Sequence, residues 1–184
     1  MKKYIILFIS LLNYSILLSQ EKKIFDYQLI GAVILESNQL LSYKIEFNSN
    51  KKGLIKGYSY TDIDGENETK SYIEGHYNSK NKDIQFKESE ILYTKSKFLP
   101  EEFCFVSFKG KFKEESKKKL LNGAFIGIYN DKDTCATGKI KLVSTKFVEK
   151  KIKKLYKKVK KTKKIDSVIK EQIKPENYLK KFIN

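Results

Sequence analysis

The most regular feature of the chain is the alternation of apolar and polar side chains through its central part. Residues 41–47 read Leu-Ser-Tyr-Lys-Ile-Glu-Phe, an unbroken alternation that is typical of a half-buried β-strand. Similar segments recur along the chain with short polar turns between them. The pattern predicts eight strands, at residues 25–36, 41–47, 54–62, 69–77, 84–94, 103–112, 120–129 and 134–145.

Strands this regularly spaced predict an all-β domain at residues 20–145, built as an antiparallel meander. Eight such strands can close into a small up-and-down barrel, which removes the exposed sheet edges. A two-sheet sandwich has the same sequence pattern, so both architectures stay open. Gly57, Gly75 and Gly123 lie at mid-strand near Tyr and Phe residues, which indicates a strongly curved sheet whose aromatic side chains cover glycines.

The fifth predicted strand changes its apolar face partway along. Ile84 and Phe86 are followed in the same alternation by Glu88 and Glu90, whereas the apolar positions move to the other face at Ile91. Such a change indicates a bulge or bend near residues 88–90. Because no second catalytic element accompanies Glu88 and Glu90, we interpret them as surface residues that share one strand face.

The N-terminal segment, residues 1–19, has the layout of a secretory signal peptide. Lys2 and Lys3 precede an apolar run that is short and interrupted, and Ser19 offers a small residue for cleavage. This layout predicts export to the periplasm or the extracellular space.

The two cysteines, Cys104 and Cys135, are predicted to form a disulfide, since an even cysteine count in an exported chain favours one. The alternative is two separate buried thiols. No Cys-x-x-Cys or Cys-x-x-His spacing is present, so no metal site is expected.

The C-terminal segment, residues 146–184, differs in kind because lysine dominates it. It carries 15 Lys and 4 acidic residues, a net charge of +11 out of +16 for the whole chain. Val148, Ile152, Leu155 and Val159 recur at helical spacing and predict an amphipathic helix.

Such a tail is a candidate contact for anionic lipid or an anionic envelope polymer. The alternative is a solvated tail that reflects genome composition. Nucleic acid is disfavoured as a partner, because an exported protein is separated from nucleic acid. The chain also has no Arg for bidentate contacts. The candidate surface-binding residues are Lys150, Lys153, Lys154, Lys157, Lys160 and Lys161.

A set of aromatic residues could line a ligand cavity inside a barrel. The alternative is a core filled by the same side chains, since an eight-stranded barrel is narrow. The candidates are Tyr58, Tyr60, Tyr72, Tyr77, Tyr93, Phe103, Phe105 and Phe108.

Two other groups of polar residues are weaker candidates. His76 is the only imidazole of the chain and has no second His or Cys near it in sequence, so we interpret it as exposed or merely packed. Asp62, Asp64, Glu66 and Glu68 alternate around Gly65 as oxygen ligands of calcium do. Without the rest of an EF-hand pattern, a solvated hairpin tip is the better interpretation.

The segment GAFIGIYNDKDTCATGKIKL, together with EEFCFVSFKGKF upstream, resembles small uncharacterised secreted proteins of Bacteroidetes, of the flavobacterial type. More loosely, the eight-strand meander resembles a lipocalin barrel, which implies carriage of a small ligand. The Gly-x-Trp signature of lipocalins is absent, since the chain has no Trp.

Together these features predict a binding protein rather than an enzyme, with no cofactor. The favoured hypothesis is an exported envelope-interaction module whose basic tail contacts an anionic surface or partner. The alternative is a lipocalin-like carrier of a small apolar ligand. The pattern does not determine the oligomeric state.

Overall fold

A computed structural model of the chain describes residues 25–115, 118–129 and 133–161, and only the backbone of Pro100, Glu115 and residues 155–161. The predicted signal peptide at 1–19 and the end of the tail at 162–184 lie outside the described residues. The strands are β1 (Tyr27–Leu35), β2 (Leu40–Ser49), β3 (Leu54–Thr61), β4 (Thr69–Asn78), β5 (Asp83–Thr94), β6 (Cys104–Glu115), β7 (Lys118–Tyr129) and β8 (Asp133–Ser144).

The eight strands form a closed antiparallel barrel in sequence order, in which β1 pairs with both β2 and β8. The predicted meander is therefore confirmed, and the barrel rather than the sandwich is correct. Short polar turns join most consecutive strands, a longer connection joins β5 to β6, and the pairing of β1 with β8 closes the sheet. A single turn of 3₁₀ helix, Pro100–Glu102, lies between β5 and β6, and helix α1, Thr145–Lys161, follows β8.

Aromatic side chains fill one end of the barrel, which we call the closed end. Tyr27 stacks on Phe47 with ring centroids 4.7 Å apart, and Tyr77 meets Phe112 edge-on at 5.3 Å. Above this layer the core mixes aliphatic and aromatic side chains: Leu29, Ile45 and Phe108 are each no more than 1% exposed, and the Phe108 ring lies 5.0 Å from that of Phe86. Aromatic side chains therefore contribute to the core beyond the closed end as well.

The sheet curves tightly where β6 and β7 approach each other at a glycine pair. Gly110 is paired with Gly123, and a Cβ atom on Gly123 would come within 2.5 Å of the Cα of Gly110 and 2.7 Å of Cζ of Phe108. The Phe108 ring thus occupies the space that the glycines leave, as the sequence predicted.

Helix α1 begins directly after β8 and packs against the outside of the barrel. Val148 is 4% exposed and packs against Val143, together with Ile30, Leu120 and Ile152. The predicted helix is confirmed, and its apolar face begins as expected. Within the described residues, no helix has the length and apolar character needed to span a membrane.

Candidate functional site

The barrel wall separates between β5 and β6 at the end opposite the aromatic layer. The β5–β6 ladder stops at the pair Lys87–Ser107, although β5 continues to Thr94 and β6 begins at Cys104. On its other side β5 pairs with β4, but the register skips Ser89 and Leu92. These bulges confirm the predicted irregularity in the fifth strand, because each places an extra residue opposite β4 and bends the strand.

The bulge at Ser89 changes the interpretation of the two glutamates. Glu88 pairs with Ile73, whose side chain is buried, whereas Glu90 pairs with Tyr72 on the outer face. Glu88 is 8% exposed and points into the barrel, while Glu90 is exposed. The prediction of a surface pair on one strand face is therefore wrong, because the extra residue between them reverses the alternation.

Three donors hold the Glu88 carboxylate inside the barrel. Tyr43 Oη and Ser59 Oγ both donate to Oε1, at 2.8 Å and 2.6 Å. The backbone N–H of Val106 donates to Oε2 at 2.8 Å. Val106 lies just beyond the end of the β5–β6 ladder, so the carboxylate satisfies a buried amide for which the separated strand supplies no carbonyl.

Among the described residues no basic side chain forms an ion pair with Glu88. Burial raises the pKa of Glu88 above its ordinary value, although the hydrogen bonds from Ser59, Val106 and Tyr43 lower it in part. The same burial, with the charge of Glu88 beside it, holds the pKa of Tyr43 well above its usual range. An acid at this position is costly to keep ionised and is not neutralised by the surrounding protein.

A cavity of about 850 Å³ lies above Glu88, and we call it the open-end cavity. It reaches solvent at a rim where Phe98 is 59% exposed. The connection between β5 and β6 contributes Ser96 and Phe103 to its wall. Its apolar lining consists of Val33, Leu35, Leu41, Ile91, Phe98, Phe103, Phe105, Val106, Phe125, Tyr129, Ala136 and the two cysteines.

The charged groups of the open-end cavity all have the same sign. Besides Glu88 its lining includes Asp62, Glu101 and Glu102, and no described lining residue is basic. This is unexpected in a chain of net charge +16.

The predicted disulfide is present between Cys104 and Cys135. It joins β6 to β8 across the intervening β7, and a Cβ atom on Gly127 of β7 would overlap the sulfur of Cys104. Because both cysteines line the open-end cavity, the bond fixes one side of the cavity wall. A disulfide is consistent with an oxidising compartment.

The structure separates the aromatic candidates into three places. Phe103 and Phe105 line the open-end cavity, whereas Tyr77 and Phe108 are buried in the core. The remaining tyrosines do not line this cavity: Tyr58, Tyr60 and Tyr72 are half-buried, and Tyr93 is exposed.

The outer tyrosines contact lysines and a carboxylate. The ammonium of Lys44 lies 4.7 Å from the ring centre of Tyr60, and that of Lys70 lies 4.2 Å from Tyr58. Tyr60 Oη donates to Glu46 at 3.2 Å, and burial together with the charge of Glu46 raises the pKa of Tyr60 to about 12. These contacts cover the barrel surface with polar groups and form no enclosed site.

His76 and the acidic hairpin take positions at the surface. His76 is exposed, with Nε2 3.1 Å from the carbonyl oxygen of Lys52. In the β3–β4 turn Asp62 accepts a hydrogen bond from the backbone of Asn67, and Glu68 pairs with Lys95 at 2.8 Å. That pairing lowers the pKa of Glu68. No group of three or more potential metal ligands occurs among the residues that the structure describes.

The lysine candidates lie on α1, on the closed-end side of the molecule. Lys150, Lys153 and Lys154 are exposed, and the side chains of Lys157, Lys160 and Lys161 lie outside the described part. The closed end adds basic residues of its own, because the shallow depression beside Tyr27 and Tyr77 is lined by Lys51, Lys52, Lys80 and Lys119.

No protein family, no curated protein and no solved structure matches this chain. The resemblance to secreted flavobacterial proteins stays a prediction. The barrel is compatible with a lipocalin-like binding fold in its strand number and order.

Proposed function

We propose that this protein is an exported, non-enzymatic binding protein that carries a small apolar molecule in the open-end cavity. The observation that carries the proposal is the cavity itself, an apolar space of about 850 Å³ inside the end of a closed barrel. Small-molecule sites occupy roughly 300–1,000 Å³ and combine an apolar wall with a few fixed polar groups. Here the fixed polar groups are Glu88 and its donors.

The structure of the wall supports carriage rather than chemistry at Glu88. Its two oxygens already accept hydrogen bonds from Tyr43, Ser59 and Val106. These donors hold the carboxylate in one orientation. The aromatic layer blocks the opposite end of the barrel, so a ligand enters and leaves at the open end.

The test is binding of N-phenyl-1-naphthylamine, an uncharged apolar dye whose fluorescence rises in apolar surroundings. We expect saturable binding of one dye per chain. Leu41→Trp adds volume to the cavity wall, so it should weaken binding at least about tenfold, or about 1.4 kcal/mol. Fluorescence titration measures both values.

Leu54→Trp is the matched control, since Leu54 is 51% exposed on the outer face and the substitution is the same. It should bind the dye as the unmodified protein does. Circular dichroism confirms that both variants keep their strands. Absence of saturable binding, or equal affinity in Leu41→Trp, would contradict carriage in this cavity.

We also propose that α1 and the tail hold the protein at an anionic surface. The supporting observation is that α1 and the lysines beside Tyr27 and Tyr77 lie at the closed-end side, whereas the open-end cavity is acidic. An anionic surface would therefore attract the closed-end side and leave the cavity accessible.

Co-sedimentation with phosphatidylglycerol vesicles tests this contact, with phosphatidylcholine vesicles as the uncharged reference. Reversing the charges of Lys150, Lys153 and Lys154 to Glu should weaken binding to the anionic vesicles roughly tenfold or more. The same reversal at Lys56, Lys87 and Lys109, which are exposed on the barrel wall, should weaken it less. Equal losses in the two variants would show that net charge alone controls binding.

A further inference from the structure

We propose that the molecule carried in the open-end cavity is a cation, an apolar body that bears an amine or ammonium group placed against Glu88. This inference rests on the proposed carriage and specifies the class of ligand. The charged residues of the cavity lining are acidic, whereas the chain as a whole has a net charge of +16.

Glu88 places a buried carboxylate at the cavity. It is 8% exposed, lies in the floor of an apolar cavity and has no ion-pair partner among the described residues. A buried carboxylate is normally paired with a cation or kept neutral. A ligand ammonium would supply the missing positive charge, and the low polarity of the wall would strengthen the attraction.

The other charged groups of the lining have the same sign as Glu88. Asp62, Glu101 and Glu102 are acidic, and no described lining residue is basic. A cavity for a fatty acid or another anionic amphiphile would place a carboxylate among these groups, which is unfavourable at short range. The lining thus selects against anions as well as for cations.

The charge of the chain as a whole does not explain a preference for cations. The protein has a net charge of +16, so its long-range field favours anions and disfavours cations. Nonspecific electrostatic binding would therefore produce the opposite preference. A measured preference for a cation must come from local groups, and the open-end cavity contains them.

The test compares three ligands with the same dodecyl chain, each used below the concentration at which it forms micelles. They are dodecyltrimethylammonium, dodecanol and dodecanoate, measured by displacement of N-phenyl-1-naphthylamine. We expect the cation to bind roughly tenfold or more tightly than the anion, with the alcohol between them.

Glu88→Gln should abolish most of the difference between cation and anion, while dodecanol still binds. Glu74→Gln is the matched control, because Glu74 lies outside the cavity lining on the same barrel and the charge change is the same. If Glu88→Gln does not fold, Glu101→Gln/Glu102→Gln removes two rim charges and should reduce the preference severalfold.

The outcomes separate this inference from the proposed function. If neither the dye nor any dodecyl ligand binds, the proposed function is wrong and the inference is wrong with it. If the dye and dodecanol bind but the cation binds no better than the anion, only the inference is overturned. It is also overturned if the cation preference is unchanged in both Glu88→Gln and Glu101→Gln/Glu102→Gln.

Discussion

Replacing Glu88 with alanine is expected to lower the free energy of unfolding by about 3 kcal/mol in mildly acidic buffer. The substitution leaves Tyr43 Oη, Ser59 Oγ and the Val106 N–H without the acceptor that each now has. Tyr43 is 0% and Ser59 1% exposed. A buried donor without a partner costs about 1–3 kcal/mol, and relief of the buried acid offsets part of the sum.

The pH dependence gives this prediction a distinctive sign. Burial raises the pKa of Glu88 in the folded state above its ordinary value of 4.5. The stability that Glu88 contributes is therefore fully present below pH 4.5 and decreases as pH rises through the folded-state pKa. The loss caused by Glu88→Ala should be largest in acid and smaller at neutral pH.

Urea unfolding of both proteins at several pH values measures the difference directly. Glu90→Ala is the control, because Glu90 lies on the same strand but is exposed. It should change stability by less than about 0.5 kcal/mol at every pH. A loss for Glu88→Ala that grows as pH rises would contradict the buried, unpaired carboxylate described above.

Removing the disulfide with Cys104→Ser/Cys135→Ser is expected to lower the free energy of unfolding by roughly 3–4 kcal/mol. The bond closes a loop of sequence separation 31, and without it the unfolded chain gains conformational freedom. Because both cysteines line the open-end cavity, the double variant should also bind the apolar dye more weakly.

A phosphine reductant provides the matched comparison for this prediction. It should lower the stability of the unmodified protein toward that of the double serine variant and leave that variant unchanged. Urea unfolding with and without reductant measures both effects. Equal stability of the disulfide-bonded unmodified protein and the double serine variant, measured without reductant, would show that the bond adds little to the fold.

The strand order and most strand limits could be predicted from sequence because the alternation is nearly unbroken. The limits of β3 and β4 lie within one residue of the predicted segments. A barrel and a sandwich could not be distinguished from sequence, because the local alternation of apolar and polar residues is the same whether or not β1 pairs with β8. Closure depends on the curvature of the whole sheet.

The predicted position of Glu88 on the surface is wrong because of a local irregularity in β5. A single extra residue, Ser89, lies between it and Glu90 in the register with β4. Alternation counted along the chain cannot show which residue of a bulge is the extra one. The predicted bulge near residues 88–90 was the available signal, because a bulge between the two glutamates places them on opposite faces of the strand.

Tyr58, Tyr60 and Tyr72 are cavity candidates because they are aromatic, not because of their place in the alternation. In β3 the buried side is formed by Ile55, Gly57 and Ser59, so Tyr58 and Tyr60 belong to the other face. Small residues occupy the interior there because the rings of neighbouring strands need the space: a Cβ atom on Gly57 would lie 2.7 Å from Cβ of Phe47. The alternation with Ile55 could have shown this.

Amide chemical shifts in two-dimensional NMR would show most directly where dodecyltrimethylammonium binds on the protein. We expect the largest changes around the open-end cavity, at Val33, Leu41, Ser71 and Val106. Phe47 and Phe112 at the closed end should change little. Largest changes at the closed end or along α1, or no saturable change anywhere, would contradict a carrier whose cavity binds an apolar cation.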